Sequence, residues 1–326
     1  MQEINDKYKD GVMRPVLSIV IANYNYGCFL EEAIQSVIAQ DMGDRVELIV
    51  CDAASTDNSV EVIKKYANGL QPNTSYDEWT SHDNSRFKTP NTQLITWWCS
   101  EPDGGQSAAF NKGFSHAHGR FLTWLNADDV LMPGTLKAFD RAVAEHPECK
   151  WFVGGVMWLT KDMRIIKMGR GRPFSHIRAK AGSIGVWGPS SMFARELFDA
   201  AGGVDERFKY AMDNDLWHRF HYKCGETYLP FTDYAWGLRL HEGAKMSGHN
   251  FSADGEFREG GVEQLHKESE KFRCLAQEGA WMESLYKPKH PMNKWKQLIS
   301  MSVYKSIAAR LDTMRYCGRH YLEYFK

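Results

Sequence analysis

Net charge is almost absent from this 326-residue chain, in which forty Lys and Arg face forty-one Asp and Glu to leave −1 at pH 7. No global field recruits nucleic acid or another polyanion, so any basic surface is local. The seven cysteines (Cys28, Cys51, Cys99, Cys149, Cys224, Cys274 and Cys317) are odd in number, scattered and without a Cys-x-x-Cys pair. That pattern predicts reduced thiols in a cytoplasmic compartment and argues against a zinc module. No apolar run nears the eighteen residues that a membrane span needs, the longest covering about residues 151–159. The opening Met-Gln-Glu-Ile-Asn-Asp has no signal-peptide core, which gives the expectation of a cytoplasmic protein. Also missing are Gly-x-Ser-x-Gly, His-Glu-x-x-His, a Walker loop and a dinucleotide Gly-rich turn, which removes most rival enzyme classes.

What is present is an alternation of buried-strand and amphipathic-helix patterns. A polar lead over 1–15 precedes an apolar strand at 17–22 and a turn, Asn23-Tyr24-Asn25-Tyr26-Gly27. Leu30, Ala33, Ile34, Val37 and Ile38 then recur at helical spacing. Residues 46–51 read as a second strand, and Val60, Val62, Ile63 and Tyr66 as the helix after it, so the strands are expected to be parallel with right-handed crossovers. Residues 68–93 are rich in Asn, Ser, Thr, Asp and Pro and read as a long surface insertion. Order is expected to resume with a strand at 94–99 and a helix through Ala108, Ala109, Phe110 and Phe114. Strands are expected at 151–159 and 163–168, antiparallel about Thr160-Lys161-Asp162, and again near Tyr228 and 234–240. A loop at 182–192 and helices at 193–200 and 211–222 complete this part.

Two places carry chemistry on residue grounds alone. The apolar run Phe121-Leu122-Thr123-Trp124-Leu125 ends in Asn126-Ala127-Asp128-Asp129, which puts two adjacent carboxylates at a strand end, where α/β sheets open to ligands. Like charges crowded there repel unless a proton or a cation intervenes, and a divalent metal carrying a phosphorylated ligand resolves the conflict. Tyr24 and Asp52 follow adjacent strands, so an aromatic face and a carboxylate come to one edge and suit a uracil-like base. The alternative for Asp52 is a cap or turn residue.

From residue 17 to about 247 the chain resembles the family 2 glycosyltransferases, inverting enzymes of the GT-A fold that use nucleotide-sugars. Four motifs match in order: Ser18-Ile19-Val20-Ile21-Ala22-Asn23-Tyr24-Asn25, Asp52-Ala53-Ala54-Ser55-Thr56-Asp57, Asn126-Ala127-Asp128-Asp129 and Asp213-Asn214-Asp215-Leu216-Trp217. The resemblance implies an α/β fold, a GT-A Rossmann-like mixed sheet flanked by helices, with a helical C-terminal extension. It implies nucleotide contacts from Ala22, Tyr24, Asp52, Gln106, Asn126 and Asp128, with a UDP-sugar favoured. Similar sequences hold Mg or Mn through an Asp-x-Asp, whose first acid is here Asn126, so the resemblance implies metal binding by Asp128 or Asp129, with His241 of Arg239-Leu240-His241 as a further ligand. Asp213 takes the position of the catalytic base that removes the acceptor hydroxyl's proton. Met212 stands where an acid often precedes that base, and Asp215 is expected to brace the fold or the acceptor loop. Gly188-Pro189-Ser190-Ser191-Met192 occupies the place of an acceptor-side loop.

The expected organisation is a lead over 1–15, a catalytic domain over 16–250 and a basic helical extension over 251–326. Between Lys287 and Lys326, nine basic residues against Asp312 and Glu323 give nine minus two, +7, interleaved with aromatic and aliphatic residues. Two readings stand for this segment: peripheral contact with an anionic bilayer at the inner face of the plasma membrane, or helices packed on the catalytic domain. The expected partners are a nucleotide-sugar donor and a lipid-linked oligosaccharide or polysaccharide acceptor, with no nucleic acid. Asn126 and Met212 motivate the alternative of a nucleotide-sugar binding or scaffold protein that has lost catalysis. A nucleotidyltransferase would need a Gly- and Lys-rich triphosphate loop, which the sequence does not contain.

Overall fold

The structure, a computed structural model, describes residues 8–9, 12–13, 15–67, 72, 95–176, 179, 184–244 and 293–325. Apart from Pro72, the expected insertion at 68–93 lies outside the described residues, as do Leu94 and the extension from 251 to 292. A short antiparallel pair, β1 (Tyr8–Lys9) and β2 (Val12–Met13), precedes the main body. Next come β3 (Leu17–Asn23), α1 (Gly27–Ile38), β4 (Val46–Asp52), α2 (Ser59–Ala67) and β5 (Ile95–Ser100). They are followed by α3 (Gln106–Ser115), β6 (Phe121–Asn126), β7 (Val130–Leu131), α4 (Thr135–Glu145), β8 (Trp151–Val153), β9 (Val156–Thr160) and β10 (Ile165–Gly169). The rest comprises β11 (Ser191–Ala194), α5 (Arg195–Ala201), α6 (Met212–His218), β12 (Leu229–Pro230), β13 (Trp236–Leu240) and α7 (Asn293–Tyr316).

These strands form two larger sheets. One runs β12-β8-β11-β6-β3-β4-β5 and the other β10-β9-β13-β7. Strands β6, β3, β4 and β5 are parallel, as the alternation with helices requires, whereas β11 is antiparallel to both of its neighbours. Every residue of β4 is buried, which is why this strand has no solvated polar face and reads as apolar apart from Glu47 and Asp52. The mixed sheet flanked by helices is the architecture that the motif order implies.

Several boundaries differ from the sequence reading. The run 151–159 is not one strand: it leaves the large sheet as β8 and enters the small one as β9, turning at Gly154 and Gly155. A Cβ on Gly155 would lie 1.8 Å from the Asp233 carbonyl oxygen, so only glycine allows the backbones to pass this closely. Residues 191–194, expected as the end of a loop and the start of a helix, pair instead as β11 between β6 and β8, and the helix is α5. The helix expected at 211–222 is α6 followed by a wider π-type turn, Arg219–Lys223. Antiparallel pairing of β9 with β10 agrees with expectation.

The small sheet has two different faces because side chains alternate along each strand. One face, through Met157, Leu159, Ile165 and Met168, packs with Tyr316, Tyr321 and Tyr324 of the C-terminal segment. The other bears Trp236 and Leu238 on β13 beside Trp158, the β9 partner of Leu238, and packs against the main core.

Candidate active site

The first two strand ends are tied together by one buried carboxylate. Asp52 accepts four hydrogen bonds: from Asn23 Nδ2 (2.6 Å) and Ser55 Oγ (2.5 Å) on one oxygen, and from Ser55 N (3.0 Å) and Ser100 Oγ (2.6 Å) on the other. Those bonds use the carboxylate's four lone-pair directions, so any further donor has to displace a serine hydroxyl. Tyr24, one residue past β3, leaves its ring 59% exposed at the same edge. Asn25 holds the turn in left-handed backbone, accepting from Thr56 N (2.8 Å) and donating its own N–H to Ser55 Oγ (2.8 Å). Ala22 lies between Cys51 and Asn126 on the flanking strands.

At the end of β6 a polar relay fixes the two acids differently. Gln106, at the start of α3, donates Nε2 to Asn126 Oδ1 (3.0 Å), and Asn126 donates Nδ2 to Asp129 Oδ2 (2.7 Å). The other oxygen of Asp129 accepts from the Arg239 backbone N–H (2.8 Å). Asp129 is 1% exposed, and burial together with the Asp128 charge pushes its carboxyl well above the usual range. An acid at position 126 would set a second carboxylate against this one. The amide thus serves the turn of this chain, with both of its ends engaged by protein.

Asp128 faces the other way. Its side chain is 13% exposed, and Oδ2 lies 3.1 Å from His241 Nε2. His241 follows β13 and packs at 4.4 Å between ring centroids on Phe29 and edge-on at 5.7 Å to Tyr26. Tyr26 also donates its hydroxyl to the Gly243 carbonyl (2.8 Å), which fastens the loop that carries the histidine. Burial, then the Asp128 and Asp129 charges, pushes the Tyr26 phenol up to about 12. Arg239 is buried, paired with Glu32 and 4.8 Å over the Phe29 ring, so this half of Arg239-Leu240-His241 anchors β13 on α1.

The third group arrives on α6. Trp217 stacks between Trp124 of β6 (5.4 Å, 2°) and Trp151 of β8 (5.5 Å, 28°), which pins the helix to the large sheet. Burying such a ring is worth several kcal/mol at ~25 cal/mol per Å² over ~200 Å². One turn earlier, Asp213 accepts from Asn214 N (2.7 Å) and from Gly188 N (3.3 Å). Gly188 is close to both Asp213 and Trp236: a Cβ there would be 3.7 Å from each. The Trp236 side chain also approaches Asp129. Met212 is buried, with Ser107 Oγ 3.0 Å from its sulfur, and Asp215 binds Arg219 (2.5 Å), which reaches the Ala201 and Gly203 carbonyls. Asp215 thus braces α6 on α5.

A match to the family model "Glycosyl transferase family 2" covers residues 18–82 and 93–200, more than half of the chain. The chain belongs to glycosyltransferase family 2. An uncharacterized glycosyltransferase of Nostoc is 35% identical over 121 residues, 37% of this chain and 30% of that protein. One of Mycobacterium tuberculosis is 29% identical over 207 residues, 62% of this chain and 67% of the relative. TarS of Staphylococcus aureus, a poly(ribitol-phosphate) β-N-acetylglucosaminyltransferase, is 24% identical over 217 residues, 65% of this chain and 31% of TarS. The crystal structure of TarS 1-349 with UDP-GlcNAc superposes with a TM-score of 0.54 at 16% identity, over 92% of this chain and 83% of that one, which shows the shared GT-A fold.

Within this family 2 chain the strand ends gather Ala22, Tyr24, Asp52, Gln106, Asn126, Asp128, Asp129 and His241 along one edge, and Asp213 stands on α6 against Gly188. Sequence reading passed over Asn23, Ser55 and Ser100, which saturate Asp52, and over Tyr26, which fastens the His241 loop. Asn23 and Tyr26 sit inside the quoted turn, but nothing local marks their partners 29 to 217 residues away. Among the described residues no three His, Cys, Asp or Glu side chains group as a metal cage. A magnesium-type ion shared with phosphates needs only one or two protein ligands, and the facing Asp128 and His241 fit that demand.

Proposed function

We propose that this glycosyltransferase catalyses an inverting transfer from a UDP-sugar to a hydroxyl of a lipid-linked oligosaccharide or polysaccharide acceptor, with Asp213 as the general base. The observation that carries the reading is the Asp213 carboxylate held by the Gly188 N–H, with Gly188 in turn close to the Trp236 indole whose side chain approaches Asp129. A donor lying along the strand ends puts its base on Tyr24 and its ribose near Ala22 and Asn126. Asp52 meets the base only by exchanging a serine hydroxyl for the imide N–H. Asp128 and His241 would hold Mg or Mn, which when bound offsets the charge that builds on the departing nucleotide diphosphate. Gln106 keeps the relay to Asp129 rigid, so that the neighbouring Asp128 presents its oxygen outward.

The acceptor hydroxyl approaches from the Asp213 side and gives up its proton to that carboxylate as its oxygen bonds the anomeric carbon. The bond to the diphosphate breaks on the opposite face, which inverts the centre. Gly188 N donates to Asp213 Oδ2 and holds the base in place.

Asp213→Asn is expected to lower transfer by about a thousandfold, within the usual span for a lost general base, while calorimetry still registers UDP-sugar binding. Full activity in that variant would overturn the mechanism. The alternative, a catalytically degenerate binding protein, is favoured by Met212 and Asn126; it predicts UDP binding with Mn but no sugar release from any donor. No described helix is long and apolar enough to cross a membrane. Peripheral contact is proposed instead, through the outer face of α7.

A further inference from the structure

An aromatic corner that the donor site leaves unused lies where β9 meets the segment leading to Gly188. Trp158 on β9 and Trp187, the residue before Gly188, meet with centroids 5.5 Å apart at 81°, so their rings form two walls of a right angle. Gly169 permits the meeting: a Cβ there would be 3.0 Å from Trp158 and 3.3 Å from Trp187. Both indoles are only half-buried. Leu238 lies beside Trp158 as its β13 partner, and Lys167 Nζ sits 5.1 Å from the Trp158 centroid. That ammonium is on an exposed, flexible side chain that a better partner for the ring can displace. The peptide N–H of Gly188, the residue after Trp187, binds Asp213, which ties the segment carrying this indole to the proposed base.

We propose that the Trp158–Trp187 corner is the acceptor subsite and that it takes a pyranose ring. A pyranose carries axial C–H groups on one face and hydroxyls around its rim. Its flat face stacks on an indole while the rim stays hydrated or points to Asp213. A polyol phosphate, by contrast, offers a flexible anionic chain with no flat apolar face to stack on an indole. The corner therefore selects a sugar as the group whose hydroxyl is glycosylated. This inference rests on the glycosyl-transfer reading above and narrows its acceptor.

The test uses full-length protein labelled with 5-fluorotryptophan, its Trp158 and Trp187 fluorine resonances assigned through Trp158→Phe and Trp187→Phe. With UDP present it is titrated with cellotetraose, chitotetraose and a poly(ribitol phosphate) oligomer. Both pyranose oligomers are expected to move the two resonances and the polyol phosphate to leave them in place. Trp158→Ala or Trp187→Ala weakens the shifts about tenfold, the scale of one lost stacking contact, and with active acceptor raises acceptor KM rather than donor KM. Gly169→Ala keeps both indoles but forces them apart, and weakens binding as well. Movement caused by the polyol phosphate alone, by none of the three, or equally in the alanine variants overturns the subsite. Failure of donor turnover in unlabelled wild-type protein instead refutes the transfer reading and leaves the fluorine result standing.

Discussion

Two adjacent carboxylates that look interchangeable in the sequence differ sharply once their partners are known. Asp129 is enclosed, with one oxygen on the Arg239 N–H and the other on Asn126. Asp128 keeps exposure and faces His241. Asp128→Asn is therefore expected to lose Mn binding, read by calorimetry with UDP present, with little change in melting temperature. Asp129→Asn brings two amide NH₂ groups together or sets its own NH₂ against the Arg239 N–H, and should destabilise the fold by about 1–3 kcal/mol, the cost of an unsatisfied buried group. Equal loss of metal binding with unchanged stability in both variants would contradict this division. The same relay explains Asn126, which the sequence presents as a missing charge. Its amide is what lets Asp129 be buried next to the partly exposed Asp128, and no local signal in Asn126-Ala127-Asp128-Asp129 could have revealed Gln106 as its other partner.

At the scale of elements, the strand ends away from the site are held by another buried acid, Glu47 on β4. It accepts from Ser18 Oγ (2.5 Å), Gly119 N (3.0 Å) and the His118 backbone N–H, with His118 Nδ1 3.2 Å from its second oxygen, and so joins β3, β4 and the turn before β6. Burial works to raise its carboxyl, but the hydrogen bonds from His118 and Ser18 outweigh it and hold the group below its ordinary value. A depressed folded value means stabilisation that is present above the unfolded carboxylate range, near pH 4.3, and is lost as pH falls through the folded value. Glu47→Gln should cost about 2 kcal/mol at pH 7 and flatten the loss of stability below about pH 4 in denaturant titrations. An unchanged acid limb in the variant would assign that loss to other groups. The parallel core strands were legible because β3, β4 and β6 are buried on both faces, largely apolar, and end at polar turns. The break within 151–159 was not, because Gly154 and Gly155 look like ordinary members of an apolar run until Asp233 and Gly171 close on them from eighty and sixteen residues away. Nor was β11, whose four residues gain strand conformation only from the neighbours that flank them.

For the whole molecule, the described end of the basic C-terminal segment both packs on the catalytic domain and keeps a second face. Inward, Asp312 meets Arg170 (2.7 Å) and Tyr234 (2.5 Å), Lys305 pairs with Asp233, and Gly318 and Arg319 extend the backbone pairing of Ile165. Outward, Ile307, Leu311 and Met314 are 53%, 59% and 81% exposed. At 100° per residue these three fall within one narrow stripe opposite buried Ala309, with exposed Arg310 and Arg315 on its two sides. The imperfect amphipathicity of the sequence thus arises from one helix serving two surfaces, a packed one and an apolar one edged by cations. Such a stripe suits shallow insertion into an anionic bilayer, each aliphatic side chain adding up to ~1.5–3 kcal/mol and each arginine ~1 kcal/mol. Full-length protein is expected to float with phosphatidylglycerol vesicles and not with phosphatidylcholine vesicles, and to release as salt shortens the screening length. Leu311→Glu with Met314→Glu leaves the packed face of α7 untouched and should abolish flotation with the melting temperature retained. Equal partition onto neutral vesicles, or flotation that survives both glutamates, would remove α7 as the membrane contact.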